Sequence, residues 1–133
     1  YRCEDRAAVA PIPLTVNEWD EWGDPRDPAF MTYLAGYSPY DNLPPAAGRP
    51  PLLVTGALHD PRVLVREQAK WVSALRATDP DEGAGTDPAD PTSPGTVLFR
   101  VETAEGSHSG PAGRFGHLEY EAEVAAWVLA ALS

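Results

Sequence analysis

Two residues carry the chemistry most clearly. Asp60 closes an apolar run, Pro51-Leu52-Leu53-Val54-Thr55-Gly56-Ala57-Leu58-His59-Asp60. His108 stands between small residues in Gly106-Ser107-His108-Ser109-Gly110. An aspartate that accepts a hydrogen bond from imidazole Nδ1–H fixes the ring's tautomer and stabilises the imidazolium formed when it takes a proton. Such a pair serves a nucleophile, and none is evident. The serines are Ser38, Ser73, Ser93, Ser107, Ser109 and Ser133, and none is the central residue of G-x-S-x-G. Ser107 and Ser109 adjoin His108 in sequence, which is poor geometry for attack assisted by that same ring. The chain offers an acid and a base, and no serine for the base to activate.

A second constellation is acidic. Glu18, Asp20 and Glu21 lie between and beside Trp19 and Trp22. Solvated charge is the default reading of such a run. The functional reading is a recognition pocket, because carboxylates next to indole walls suit a guanidinium or ammonium. Arg62 and Arg114 adjoin the Asp60 and His108 loops, where they either contact a substrate carboxylate or backbone, or offset local negative charge. His59 and His117 read as structural, with His117 in the first turn of the last helix. No spacing suits a metal, and no cofactor is expected: the acidic group has no nearby histidine, and nothing resembles an EF-hand loop.

The elements that must position these residues follow from periodicity. A strand at about 51–57 delivers Asp60 to its carboxyl end, the edge at which open α/β sheets build sites. Val65, Ala69, Val72 and Leu75 recur at helical spacing and predict a helix over about 62–76. Residues 79–95 are rich in Pro, Asp and Gly and read as an exposed, mobile loop. Thr96-Val97-Leu98-Phe99-Arg100-Val101 predicts a second strand, followed by a Gly-rich loop at 105–114. A final helix at about 117–132 is expected to bury Leu118, Ala122, Ala125, Leu129 and Leu132. Nearer the N-terminus, Asp27-Pro28 predicts the start of a short helix. The turn-rich Tyr37–Pro44 stretch is expected to lay its tyrosines over a core edge. Crossovers of this length favour parallel pairing. The fold class is therefore α/β, with an incomplete sheet, since two strands do not stand alone. The order Asp then His, each after a parallel strand, matches the second and third members of the Ser, Asp, His order of α/β-hydrolases.

Composition excludes several classes. Twenty acidic against ten basic side chains give a net charge of -10 over 133 residues. That surface repels phosphate backbones, so neither nucleic acid nor an anionic membrane is an expected partner. Cys3 is the only cysteine, which rules out an internal disulfide framework. No run reaches the roughly 18 apolar residues of a membrane span. The N-terminal Tyr1-Arg2-Cys3-Glu4-Asp5 lacks the apolar core of a signal peptide, so a cytoplasmic location is expected.

Four stretches in order resemble the C-terminal end of the prolyl oligopeptidase family, most closely its oligopeptidase B branch. They are Pro13-Leu14-Thr15 with Glu18-Trp19-Asp20-Glu21-Trp22-Gly23-Asp24-Pro25, then Tyr37-Ser38-Pro39-Tyr40-Asp41-Asn42, then Leu58-His59-Asp60-Pro61-Arg62-Val63, then Gly106-Ser107-His108-Ser109-Gly110 with Gly113-Arg114. The resemblance runs from about residue 11 to 132 and leaves 1–10 unassigned. It implies the C-terminal portion of an α/β-hydrolase catalytic domain, in a serine peptidase that cleaves short peptides after Arg or Lys. It implies Asp60 as triad acid and His108 as triad base. Glu18 and Asp20 fall on an acidic pair that contacts the basic P1 side chain in this branch, with an aspartate in place of the second glutamate. The expected partners are short basic peptides, together with the part of the catalytic domain that bears the serine and the β-propeller in front of it. Serines flank His108 where the family usually has glycine. Two other readings stay open: a non-catalytic acidic module that binds basic peptides, and a fragment of another α/β-hydrolase, an esterase or an exopeptidase.

Overall fold

The structure, a computed structural model, describes residues 17–78, 90–104, 106–107 and 110–133. His108 and Ser109, the stretch 79–89 and residues 1–16 lie outside the described residues. The chain divides into two compact units at the Leu43–Pro44 boundary.

The first unit contains α1 (Trp19–Trp22) and α2 (Pro28–Tyr37). Gly23 ends α1 at φ +88, a left-handed conformation that a side chain disfavours, and the Phe30 ring fills the space where a Cβ would stand. The α2 start is as expected: the Asp27 carboxylate accepts from Ala29 N–H at 2.8 Å, and Pro28 opens the helix. Leu34 is the buried anchor of α2. Tyr40 is partly buried, but Tyr37 does not lie over a core edge. Tyr37 is half exposed and meets the more exposed Tyr33 edge-on, at 5.3 Å between ring centroids. The buried residue of this stretch is Ser38, whose carbonyl accepts from Asp41 N–H, Asn42 N–H and the Asn42 side-chain amide.

In the second unit, β1 (Leu52–Ala57) and β2 (Val97–Glu102) pair in parallel, from Leu52 opposite Val97 to Ala57 opposite Glu102. Between them runs α3 (Val65–Arg76), and α4 (Arg114–Ala131) follows β2. Side chains alternate across the two strands, and each helix takes one face. Gly56 sits against Phe99 and against Gln68 of α3. On the other face, Arg100 bonds Glu123 of α4, and Leu53 and Thr55 share a cavity with Tyr120, Val124 and Trp127. The core centres on Val72, Leu75 and Val97, all almost fully buried. Parallel strands joined by a helical crossover, with helices on both faces, are the α/β arrangement the sequence predicts.

The last helix corrects one expectation. Leu118, Leu129 and Leu132 are 57%, 69% and 81% exposed, and Ala122 and Ala125 are exposed as well. The helix instead lays Tyr120, Val124 and Trp127 toward the sheet. Both lines have helical spacing, so periodicity could not choose between them. On the line that faces the sheet, Tyr120 and Glu123 meet Arg100 of β2.

Within the predicted mobile loop, the described end is ordered. The Asp90 carboxylate accepts from Thr92 N–H, the Ser93 hydroxyl bonds that of Thr96, and Gly95 N–H donates to Arg49 O at 2.8 Å.

Candidate active site at the carboxyl edge of the sheet

Leu58 N–H extends the ladder by donating to Glu102 O at 2.8 Å, and the chain then turns, with Asp60 N–H reaching Ala57 O. The turn leaves Asp60 just past the end of β1, and only 6% exposed. Its Oδ1 accepts from Arg62 N–H at 2.8 Å and Val63 N–H at 3.1 Å. Two backbone donors on one oxygen fix the carboxylate in orientation, and the same bonds shape the approach to α3, whose first turn has no side-chain cap. A buried carboxylate held this way is a fixed acceptor at the edge of the sheet.

The second loop meets the first. Ser107 and Gly110 exchange backbone hydrogen bonds at 2.9 and 3.0 Å, and His108 and Ser109 come between them in sequence. Ser107, Gly110, Asp60, Glu102, Gln68 and Tyr120 line one cleft of about 200 Å³. The structure thus brings the acid and the two described residues that bracket His108 to a single edge. Gly110 has φ +95, a left-handed conformation that a side chain disfavours, and the Tyr120 ring stands at ordinary contact distance from it.

The remaining predicted residues fall as follows. Arg62 gives its N–H to Asp60 while its side chain is exposed, and Arg114 opens α4, also exposed. His59 is exposed in the turn before Asp60. His117 donates its backbone N–H to Gly113 O, and its ring stands 3.5 Å from Glu121. Ser73 is exposed on α3, and the Ser133 hydroxyl donates to Ala130 O.

Glu18, Asp20 and Glu21 belong to the other unit and are all exposed. Glu18 is the N-cap of α1, and its carbonyl accepts from Trp22 N–H at 2.8 Å. Nearby, one guanidinium is already housed: Arg26 stacks on Trp19 at 4.2 Å and pairs with Asp24 at 2.6 Å. Hydrogen bonds from Arg26 hold the Asp24 carboxyl below its usual value. The indole wall expected to receive a ligand's cation is thus occupied, at Trp19, by the chain's own arginine.

Sequence reading overlooked Glu102, Gln68 and Tyr120. The available signal was a charged pair, Arg100 and Glu102, inside an otherwise apolar strand.

A two-stranded parallel sheet with helices on both faces, and a buried acid beside the Ser107–Gly110 pair at one edge, is a partial α/β fold of the kind found in α/β-hydrolases. Residues 5–133 match the prolyl oligopeptidase family, and the chain belongs to it. It is 42% identical over 118 residues to Protease 2 of Moraxella lacunata, covering 89% of this chain and 15% of that protein. It is 39% identical to dipeptidyl aminopeptidase BI of Pseudoxanthomonas mexicana, again over 89% of this chain and 14% of the relative. Prolyl oligopeptidase ophP of Omphalotus olearius is 32% identical over 68% of the chain. The chain therefore spans about a seventh of the length of the first two relatives.

Proposed function

We propose that this chain supplies the acid and the base of a serine peptidase, Asp60 and His108, to a nucleophile carried on another segment. The observation that carries the reading is Asp60 itself. It is a buried carboxylate fixed by two amides at a strand's carboxyl end, in a cleft shared with the turn that contains His108 in sequence. In this reading His108 takes the proton of a serine hydroxyl as it attacks the scissile carbonyl, then returns it to the leaving amine. Asp60 keeps the ring in the required tautomer and stabilises the imidazolium between the two transfers.

The nucleophile-bearing part of the catalytic domain also has a surface to pack on. Phe115, Leu118, Leu129 and Leu132 form an exposed apolar line along α4, larger than scattered surface leucines require. A β-propeller in front of the completed site would limit substrates to short peptides.

The substrate class in this reading is peptides cut after Arg or Lys, with Glu18, Asp20 and Glu21 as the cation-binding group and a net charge of -10 attracting basic peptides. The complete peptidase is expected to cleave arginyl and lysyl peptides in preference to alanyl and prolyl ones. Release of dipeptides from a free amino terminus would favour the activity named for the second relative. Glu18→Gln and Asp20→Asn are each expected to raise KM for an arginyl substrate roughly tenfold, the worth of one charge-assisted hydrogen bond, with kcat little changed. Unchanged KM in both would remove these residues from recognition.

A further inference from the structure

A guanidinium in the middle of an apolar strand is costly unless its surroundings hold it. Arg100 of β2 is held on three sides. Its Nε donates to Glu123 of α4 at 2.7 Å, and its guanidinium carbon stands 4.5 Å from the centre of the Tyr120 ring. One terminal nitrogen lies 3.7 Å from Glu102 Oε2, an ion contact longer than a hydrogen bond, and makes no hydrogen bond among the described residues. Two of these three neighbours support the loop that follows β2. Glu102 Oε1 accepts from Ala104 N–H at 2.9 Å, and its Cγ packs so closely on Gly106 that a Cβ there would come within 2.4 Å. Tyr120 covers Gly110, where a Cβ would lie 3.5 Å from the ring. The first limb of the loop thus rests on Glu102 and the last limb on Tyr120, with the Ser107–Gly110 pair joining them.

We propose that Arg100 is a positioning residue for the histidine loop, with one guanidinium holding both limbs of the turn through Glu102 and Tyr120. This rests on the reading of His108 as the base that Asp60 orients. Arg100 touches no substrate. Its part is to keep the paired Ser107 and Gly110, which bracket His108 in sequence, in one arrangement. The side chains of Arg100 and Glu123 are 27% and 60% exposed, so that pair contributes little to global stability. The effect of the arginine is local.

The test is nuclear magnetic resonance on the complete peptidase with labelled histidine, with amide exchange read by mass spectrometry. In the wild type, a slowly exchanging imidazole Nδ1–H signal from His108 is expected, and Asp60→Asn should abolish it. Arg100→Met should also abolish it and should lower amide-exchange protection at Ser107 and Gly110 about tenfold, with β1 amides unchanged. Arg100→Lys, which keeps a cation over Tyr120 and beside Glu102, should restore the signal. If Arg100→Met does not fold, Tyr120→Leu should show the same loss, while Tyr120→Phe behaves as wild type. A signal that Asp60→Asn removes and the Arg100 and Tyr120 variants leave intact overturns the role of Arg100 alone. A wild-type spectrum with no signal dependent on Asp60 overturns the acid–base reading and this proposal with it.

Discussion

Asp60→Asn in the complete peptidase is expected to lower kcat about ten-thousandfold at neutral pH, with KM changed severalfold at most. The substitution is close to isosteric. Its carbonyl oxygen can still accept from Arg62 and Val63 N–H, which hold the aspartate at 2.8 and 3.1 Å, so the turn before α3 survives. What changes is the group offered to the imidazole. An amide NH2 in place of a carboxylate oxygen favours the tautomer with its proton on the wrong nitrogen and leaves the imidazolium without a counter-charge. Ten-thousandfold corresponds to about 5.5 kcal/mol of transition-state stabilisation. Asp60→Ala should lose the same catalysis and also destabilise the second unit, by about 1–2 kcal/mol, because two backbone donors lose their acceptor. Steady-state kinetics together with thermal unfolding of the two variants separate these effects.

Arg49→Met should cost the second unit about 3 kcal/mol, measured as a shift of the denaturation midpoint at constant slope. Arg49 is only 5% exposed. One terminal nitrogen donates to Leu75 O at 3.2 Å and to the Thr78 hydroxyl at 3.1 Å, and the other donates to Gly95 O at 2.8 Å. The carbonyl of Leu75 belongs to the last turn of α3, where a cation also meets the negative end of the helix dipole. Methionine fills much of the volume but leaves the buried carbonyl of Gly95 without this donor. Leu75 O keeps the Thr78 hydroxyl at 2.7 Å, which is why the expected loss is that of about two charged hydrogen bonds. Arg49 lies before the amino end of β1, away from the Asp60 edge, so catalysis by the folded variant should be unaffected.

The two strands and α3 were legible because each has an apolar pattern that only one arrangement satisfies. Leu52 to Val54 and Val97 to Phe99 are continuous, as befits strands covered on both faces, and Val72 and Leu75 give α3 a single buried line. Asp60 was legible for the same reason: a carboxylate that ends an apolar strand has one edge to occupy. The orientation of α4 was not, because its sequence carries two apolar lines and its contacts with Arg100 lie on a different element. Arg49 was invisible for a related reason. Its partners lie 26, 29 and 46 residues away in sequence, and no local pattern announces a bond across that distance. The acidic group was read from composition, whereas its geometry depends on the single turn of α1. The stacking of Arg26 on Trp19 was equally hidden, since it needs Gly23 and Pro25 to fold the chain back.

In the proposed reading His108, oriented by Asp60, is the base of a peptidase whose nucleophile lies on another segment. The most direct measurement is the rate of arginyl-ester hydrolysis by the 133-residue chain alone and by the complete peptidase, each as wild type and as His108→Ala. The expected result is no hydrolysis above background by the chain alone, turnover by the complete wild-type enzyme, and a loss of about ten-thousandfold or more on His108→Ala. Hydrolysis by the isolated chain that disappears on His108→Ala, or full turnover by the complete His108→Ala enzyme, would contradict it.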